Sequence, residues 1–392
     1  MSARLFLVMI LSLLLQSPAH ADTVADLYAA NVPVSDQSAG VRAAALREAL
    51  GQVLVKITGT QGVMETSAAN ELLQNPSRYL QQYRYESIRP VPADPDMPRL
   101  ALRAEFDGGA LERRLRSAGL PLWGRERPMT LVWLALSDGN RELIGAKSSN
   151  TVVDALQRAA VRRGLPLELP VLDTEDVTRV SFMDVWGVYE EPLLAAAERY
   201  SPDAIMSGSI FSAGNDLWAG RWTLLRNGER QRWELSGPTP EAVAAAAMDR
   251  LAEHYAEAFS VFAGAAQDKV LLEVSAVAAL QGYARVQAYL SRLSAVKDVR
   301  LLGVDDDVLR FELDLNGSVH TLEQSIAVGR ILEPMPKGEV VIPLGEPVAN
   351  ETPLPPEQDT AETSAPPLDF RDAMTETIPE TPIPVLRYRY RG

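Results

Sequence analysis

The sequence contains no cysteine and only three histidines among its 392 residues. The first absence excludes a disulfide framework and a lipid-modified cysteine, so the fold has to be held by core packing. The second leaves little for a metal. Zinc would take most of its ligands from carboxylates, and no H-E-x-x-H or related spacing is present. His20 falls in the opening segment, His254 sits in a helical stretch beside Leu251 and Tyr255, and His320 comes just before a predicted helix start. Packing or capping is the expected role of the last two. Glycine-rich phosphate loops are also missing: no G-x-G-x-x-G follows a strand-like run and there is no Walker A sequence, so no cofactor is expected. No G-x-S-x-G elbow marks a serine nucleophile, and Ser207-Gly208-Ser209 falls inside a predicted strand. Asp305-Asp306-Asp307 lacks the spacing, glycine and distal glutamate of a calcium loop. Glu190 and Glu191 are adjacent and so point apart, and Glu191 precedes Pro192 at a predicted helix start. No catalytic or metal-binding residue is assigned.

Positive charge is short as well. The formal net charge is −14, and no basic stripe of the kind a duplex-binding protein carries is visible, which excludes nucleic acid as the expected partner. Long apolar runs are absent too. The longest, Leu5 to Leu15, is about half of what a bilayer span needs. It follows Arg4 and precedes Ala19-His20-Ala21, the pattern of a secretory signal peptide with cleavage after Ala21. The expectation is an exported, periplasmic protein that does not span the membrane. Its oligomeric state is left open.

What is there reads as alternating helices and strands, an α/β class built of α+β modules. Residues 1–21 are the signal peptide, 22–126 an N-terminal βαββα domain, 127–264 a central α/β domain and 268–332 a C-terminal βαββα domain. The two flanking units read as ferredoxin-like, each lacking a final strand. In the first, a strand near 24–34 leads to a helix whose apolar face carries Val41, Ala45, Ala49, Val53 and Ile57, closed by Gly59. In the central domain TLVWLAL is a continuous apolar run, as in a strand buried on both faces. Asn227-Gly228 predicts a two-residue hairpin turn that pairs Trp222 with Trp233 and Arg221 with Glu234 on opposite faces. Thr239-Pro240-Glu241 starts a long helix with an apolar stripe at Met248, Leu251, Tyr255, Phe259 and Phe262. In the third unit a hairpin turns around Asp305-Asp306, and the pair Thr321 and Gln324 reads as a capping box opening the last helix.

Two features stand out as candidate interaction sites. All six tryptophans fall between 123 and 233, which suits a core. Trp186, in the loop-like SFMDVWGVYEEP, is the exception. The other feature is the stretch 333–392. It holds 12 of the 27 prolines and 11 acidic residues, and such a composition predicts a flexible Pro/acid-rich tail, disordered over about 345–383. Yet it ends in PVLRYRYRG. Leu386, Tyr388 and Tyr390 alternate there with Arg387, Arg389 and Arg391, a candidate terminal strand over 384–391. A 39-residue linker reaches roughly 35 Å, enough to return this strand to a sheet edge. GEVVIPLG (338–345) is a rival for the same edge.

The phrases VPVSDQSAG, RAAALREALGQVLVKITG, SRYLQQYRYE, LALRAEFDGGALERRLRSAGLPLWG and RPMTLVWLAL, in that order, resemble the domain-of-unknown-function 2066 family of exported Gram-negative bacterial proteins. The resemblance implies the periplasm and brings no catalytic residues with it. The expected function is a non-enzymatic binding or scaffold protein of the cell envelope, with an envelope protein or peptidoglycan as partner. The alternative is a carboxylate-dependent hydrolase or glycan-binding protein acting on peptidoglycan.

Overall fold

A computed structural model describes residues 26–88, 100–261, 268–335 and 383–391. The signal sequence, Phe262, the stretch GEVVIPLG and nearly all of 345–383 lie outside the described residues. The class is mixed α/β, and the described residues form three sheets in three consecutive units.

The first unit runs β1 (Ala29–Val34), α1 (Ala39–Thr58), α2 (Ser67–Gln74), β2 (Leu80–Ser87), β3 (Leu100–Phe106) and α3 (Gly108–Ser117), with an antiparallel sheet in the order β1-β3-β2. The strand begins at Ala29, five residues later than the apolar pattern suggested, because 26–28 form a turn. Ala49, Leu50, Val53 and Leu54 of α1 are fully buried against the sheet. Gly59 closes the helix at φ 75°, its N–H donating to the Val55 carbonyl.

The second unit contains β4 (Thr130–Ser137), β5 (Arg141–Ile144), α4 (Thr151–Arg163), β6 (Leu167–Glu168), α5 (Thr174–Arg179), α6 (Phe182–Gly187), α7 (Glu190–Ala197), β7 (Ala204–Gly214), β8 (Leu217–Arg226), β9 (Glu229–Gly237) and α8 (Pro240–Phe259). Its sheet runs β5-β4-β7-β8-β9, with β6 also on β4. The unbroken apolar run of β4 has a direct explanation. Val132, Leu134 and Leu136 join the core under α4 and α8, while Leu131, Trp133 and Ala135 join the one under α5 to α7. The β8–β9 register pairs Trp222 with Trp233 and Arg221 with Glu234 around Asn227 (φ 53°) and Gly228 (φ 78°). Gly208 lets this happen: a Cβ there would stand 2.2 Å from the Trp222 ring.

The third unit runs β10 (Lys269–Ser275), α9 (Leu280–Leu290), β11 (Val296–Asp305), β12 (Val308–Leu315), α10 (Val319–Gly329) and β13 (Leu332–Pro334). Residues Val385–Tyr390 add β14, and the sheet order is β11-β12-β10-β14-β13. Three expectations need correction here. The unit has a strand after its last helix, but β13 is three residues long and does not touch β10. The helix is opened by Ser318, which accepts from the Thr321 N–H, so Thr321 and Gln324 lie inside it and His320 is in its first turn. The hairpin turns on Asp306 and Asp307.

The units are joined by buried backbone contacts. Leu122 bridges Val261, and Trp123, its N–H held by the Ile57 carbonyl of its own unit, sets its ring in the central core. Arg330, after α10, reaches Asp203 of the central unit at 2.8 Å.

Candidate interaction site

The third sheet presents the most unusual arrangement. β14 lies between β10 and β13, parallel to the first and antiparallel to the second. Its period-two alternation sorts the side chains. Leu386 and Tyr388 point inward, 7% and 5% exposed, into the core of Leu272, Val274, Phe311 and Leu332, and Tyr390 packs partly against it. Burial pushes the Tyr388 phenol up to about 12, with Glu323 adding to it. Arg387 and Arg391 point out and meet acids on the flanking strands, Glu273 at 3.0 Å and Glu333 at 3.0 Å. Arg389 is exposed opposite Ser275 and Glu333. Backbone pairing continues past the strand: Leu271 donates to the Pro384 carbonyl, Met335 to Arg387 and Arg391 to Ile331. Glu273 and Glu333 were not singled out from sequence. The outward position of Glu273 in KVLLEVS was the signal that could have found it.

Trp186 is placed differently from expectation. It lies on the short helix α6, opened by a reciprocal Ser181–Asp184 capping box, not on a loop. The ring is half-buried, stacked on Phe182 at 5.3 Å and tilted against Phe211 at 5.7 Å. The Arg221 guanidinium sits 5.3 Å from Trp186 and 5.4 Å from Phe211. Beside this cluster opens a groove of about 350 Å³ lined by Trp186, Ser209, Arg221, Arg230, Arg232 and Glu234. Arg230 is paired with Glu190. Of the remaining five tryptophans, Trp123, Trp133, Trp222 and Trp233 are buried in cores, and Trp218 is half-buried against the central one.

The carboxylates that come together do so for structure. Asp173 and Asp176 both hold Arg199, at 2.8 and 3.2 Å, and Asp173 accepts from the Glu175 and Asp176 N–H groups at the start of α5. The Arg199 hydrogen bond keeps the Asp173 carboxyl down at about 2, so it is ionised near neutral pH and unsuited to donate a proton. Fully buried Asp176 accepts from Tyr200 and from the Leu172 N–H. His254 stacks edge-on against Trp233, its proton affinity lowered by burial, and His320 bonds Gln324. Among the described residues no group of three or more histidines and acids is placed to hold a metal ion.

A cationic junction between the first two units was not read from sequence. Arg127 is fully buried and uses all five of its donors: Nε to Gly124, Nη1 to Arg163 and Gly164, Nη2 to Lys56 and Trp123, every acceptor a backbone carbonyl. Its guanidinium lies 3.8 Å from the Trp123 ring centre. It therefore caps the C-terminal ends of α1 and α4 together, where the helix dipoles favour a cation. Burial draws its proton affinity down to about 9, and that of the Lys56 amine to about 8. Arg163 ties the same junction, donating to the Gly59 carbonyl at 2.7 Å.

Residues 21–124 match the family described as a domain of unknown function (DUF8605), so the N-terminal unit carries a domain of unknown function. No curated protein matches the chain. Five solved chains match it. One, described as "Crystal structure of uncharacterized protein", shares 11% identity over 34% of this chain and 91% of that chain, at a TM-score of 0.17. A likeness that slight bears on neither fold nor function. No helix among the described residues is long and apolar enough to cross a membrane.

Proposed function

We propose that this protein is a non-enzymatic binding or scaffold component of the bacterial cell envelope, exported to the periplasm, whose third unit engages its partner by strand addition. The observation that supports this reading is the position of β14. A strand separated from β13 by residues 335–384 fills a slot between two strands of one sheet. Strand addition is a general mode of protein recognition, with main-chain bonds giving affinity and alternate side-chain pockets giving specificity. Export is supported by the signal pattern at 1–21, and by the resemblance to the exported domain-of-unknown-function 2066 family. The test is in vivo crosslinking from the periplasm, comparing the full chain with one lacking residues 383–392. Opening the slot is expected to increase capture of a protein partner. Recovery of the chain in the cytoplasm, or no protein partner with either form, would overturn the reading.

A second reading, glycan binding, is favoured by the aromatic–arginine groove beside Trp186. Peptidoglycan presents sugar faces and carboxylates, which suit an indole flanked by Arg221 and Arg232. Pelleting of the chain with insoluble peptidoglycan, reduced by Trp186→Ala, would favour it over the first.

A further inference from the structure

The slot between β10 and β13 also states what kind of segment it accepts. We infer that it is an exchangeable strand-binding site for extended peptides with apolar and basic residues in alternation, and that residues 385–391 are its resident occupant. This rests on the strand-addition reading above for its biological partner, but not for its chemistry.

The physical case has three parts. First, the occupant is held on both edges. Five register pairs with β10 run along most of the strand and three with β13 hold its second half, so its main chain recognises any sequence able to extend. Second, the specificity elements are few and separable. Two inward positions, Leu386 and Tyr388, enter the core, and two outward arginines meet Glu273 and Glu333, one acid on each side of the slot. A segment with apolar residues two apart and arginine or lysine between and after them makes the same contacts. Third, the pairing with β10 is parallel and that with β13 antiparallel, so the occupant's direction is dictated by both neighbours at once. A strand entering the other way would lose the register that puts both cations beside acids.

Tethering then acts as a brake. An attached strand competes as if present at on the order of millimolar concentration, so a free peptide is disfavoured until the tether is broken or outcompeted. Cleavage anywhere between β13 and β14 converts the occupant into an ordinary ligand that dilution can remove.

The experiment uses the full chain with a site-specific protease sequence inserted after Ser364, and a fluorescein-labelled peptide of residues 383–391. After cleavage, saturable binding is expected, at least ten-fold tighter than to the uncut chain. A peptide carrying Leu386→Asp and Tyr388→Asp is expected not to bind. Should the third unit unfold when its strand departs, refolding driven by the parent peptide and not by the aspartate peptide supports the proposal equally. Absence of binding to a cut chain that stays folded would overturn it, as would unfolding that the peptide does not reverse or equal binding of the two peptides. Peptide exchange without any periplasmic partner would leave this inference standing and remove the functional reading. A tail-sensitive partner without peptide exchange would do the reverse.

Discussion

Replacing Arg127 by methionine tests how the first two units are joined. The substitution keeps most of the buried stem and removes five N–H donors at once, leaving the carbonyls of Lys56, Trp123, Gly124, Arg163 and Gly164 without their partner. Hydrogen bonds to a charged donor are each worth about 1.5–3 kcal/mol, so the gross loss is on the order of 10 kcal/mol. Against it stands the desolvation cost of a buried cation, several kcal/mol, which methionine does not incur. The expected net loss is about 3–5 kcal/mol, the lost hydrogen bonds less that desolvation cost. Because the acceptors lie at the ends of α1 and α4, the loss falls on the junction. Urea unfolding followed by tryptophan fluorescence should shift to lower midpoint and split into two transitions, with Trp123 reporting the first. A shift worth less than about 1 kcal/mol, with a single transition, would refute the view that this guanidinium joins the units.

Other consequences follow from the same geometry. Gly59→Ala places a Cβ 2.2 Å from the Ala256 Cβ and forces a left-handed backbone on alanine. It should cost roughly 2–5 kcal/mol in the same urea assay. Lys56, with its amine held at about 8 by burial and by Arg127, binds fewer protons folded than unfolded between pH 8 and 10.5. Its contribution therefore becomes less unfavourable as pH rises through that window. The stability of the wild type relative to Lys56→Met should rise by roughly 3 kcal/mol between those limits, whereas parallel pH profiles would contradict it. Tyr388→Pro removes a buried ring and interrupts the ladder, so limited proteolysis within 268–335 should quicken ten-fold or more.

Local pattern made much of this fold legible. The two-residue turn at Asn227-Gly228 dictated the β8–β9 register, and the apolar run of β4 announced a strand with a core on each side. Where several caps competed, local pattern misled. Thr321 and Gln324 have capping-box spacing, but Ser318 stands three residues earlier and takes the N–H of Thr321 itself. Trp186 read as loop because its helix is only six residues long, although Ser181 and Asp184 carried the signature of its start. The Arg127 junction left no trace in the sequence. Whether a cation can be buried depends on two helix ends meeting in space, and RERPMT by itself reads as an ordinary polar connector. Glu333 left no trace either, and Glu273 showed only its outward position in KVLLEVS. Each is an unremarkable outward acid until β14 lies between them.

The most direct test of the strand site exploits the absence of cysteine. Glu273→Cys and Arg387→Cys together place two thiols at register partners on adjacent strands, within the Cα separation a disulfide accepts, with no other thiol to interfere. The account predicts an intramolecular bond on oxidation. In the chain cut after Ser364 it predicts that the oxidised form refuses the labelled 383–391 peptide, while the reduced form binds it saturably, more weakly than the parent because Glu273→Cys removes the acid that meets Arg387 of the peptide. Equal binding in the two states would contradict the claim that the slot between β10 and β13 is where such segments bind.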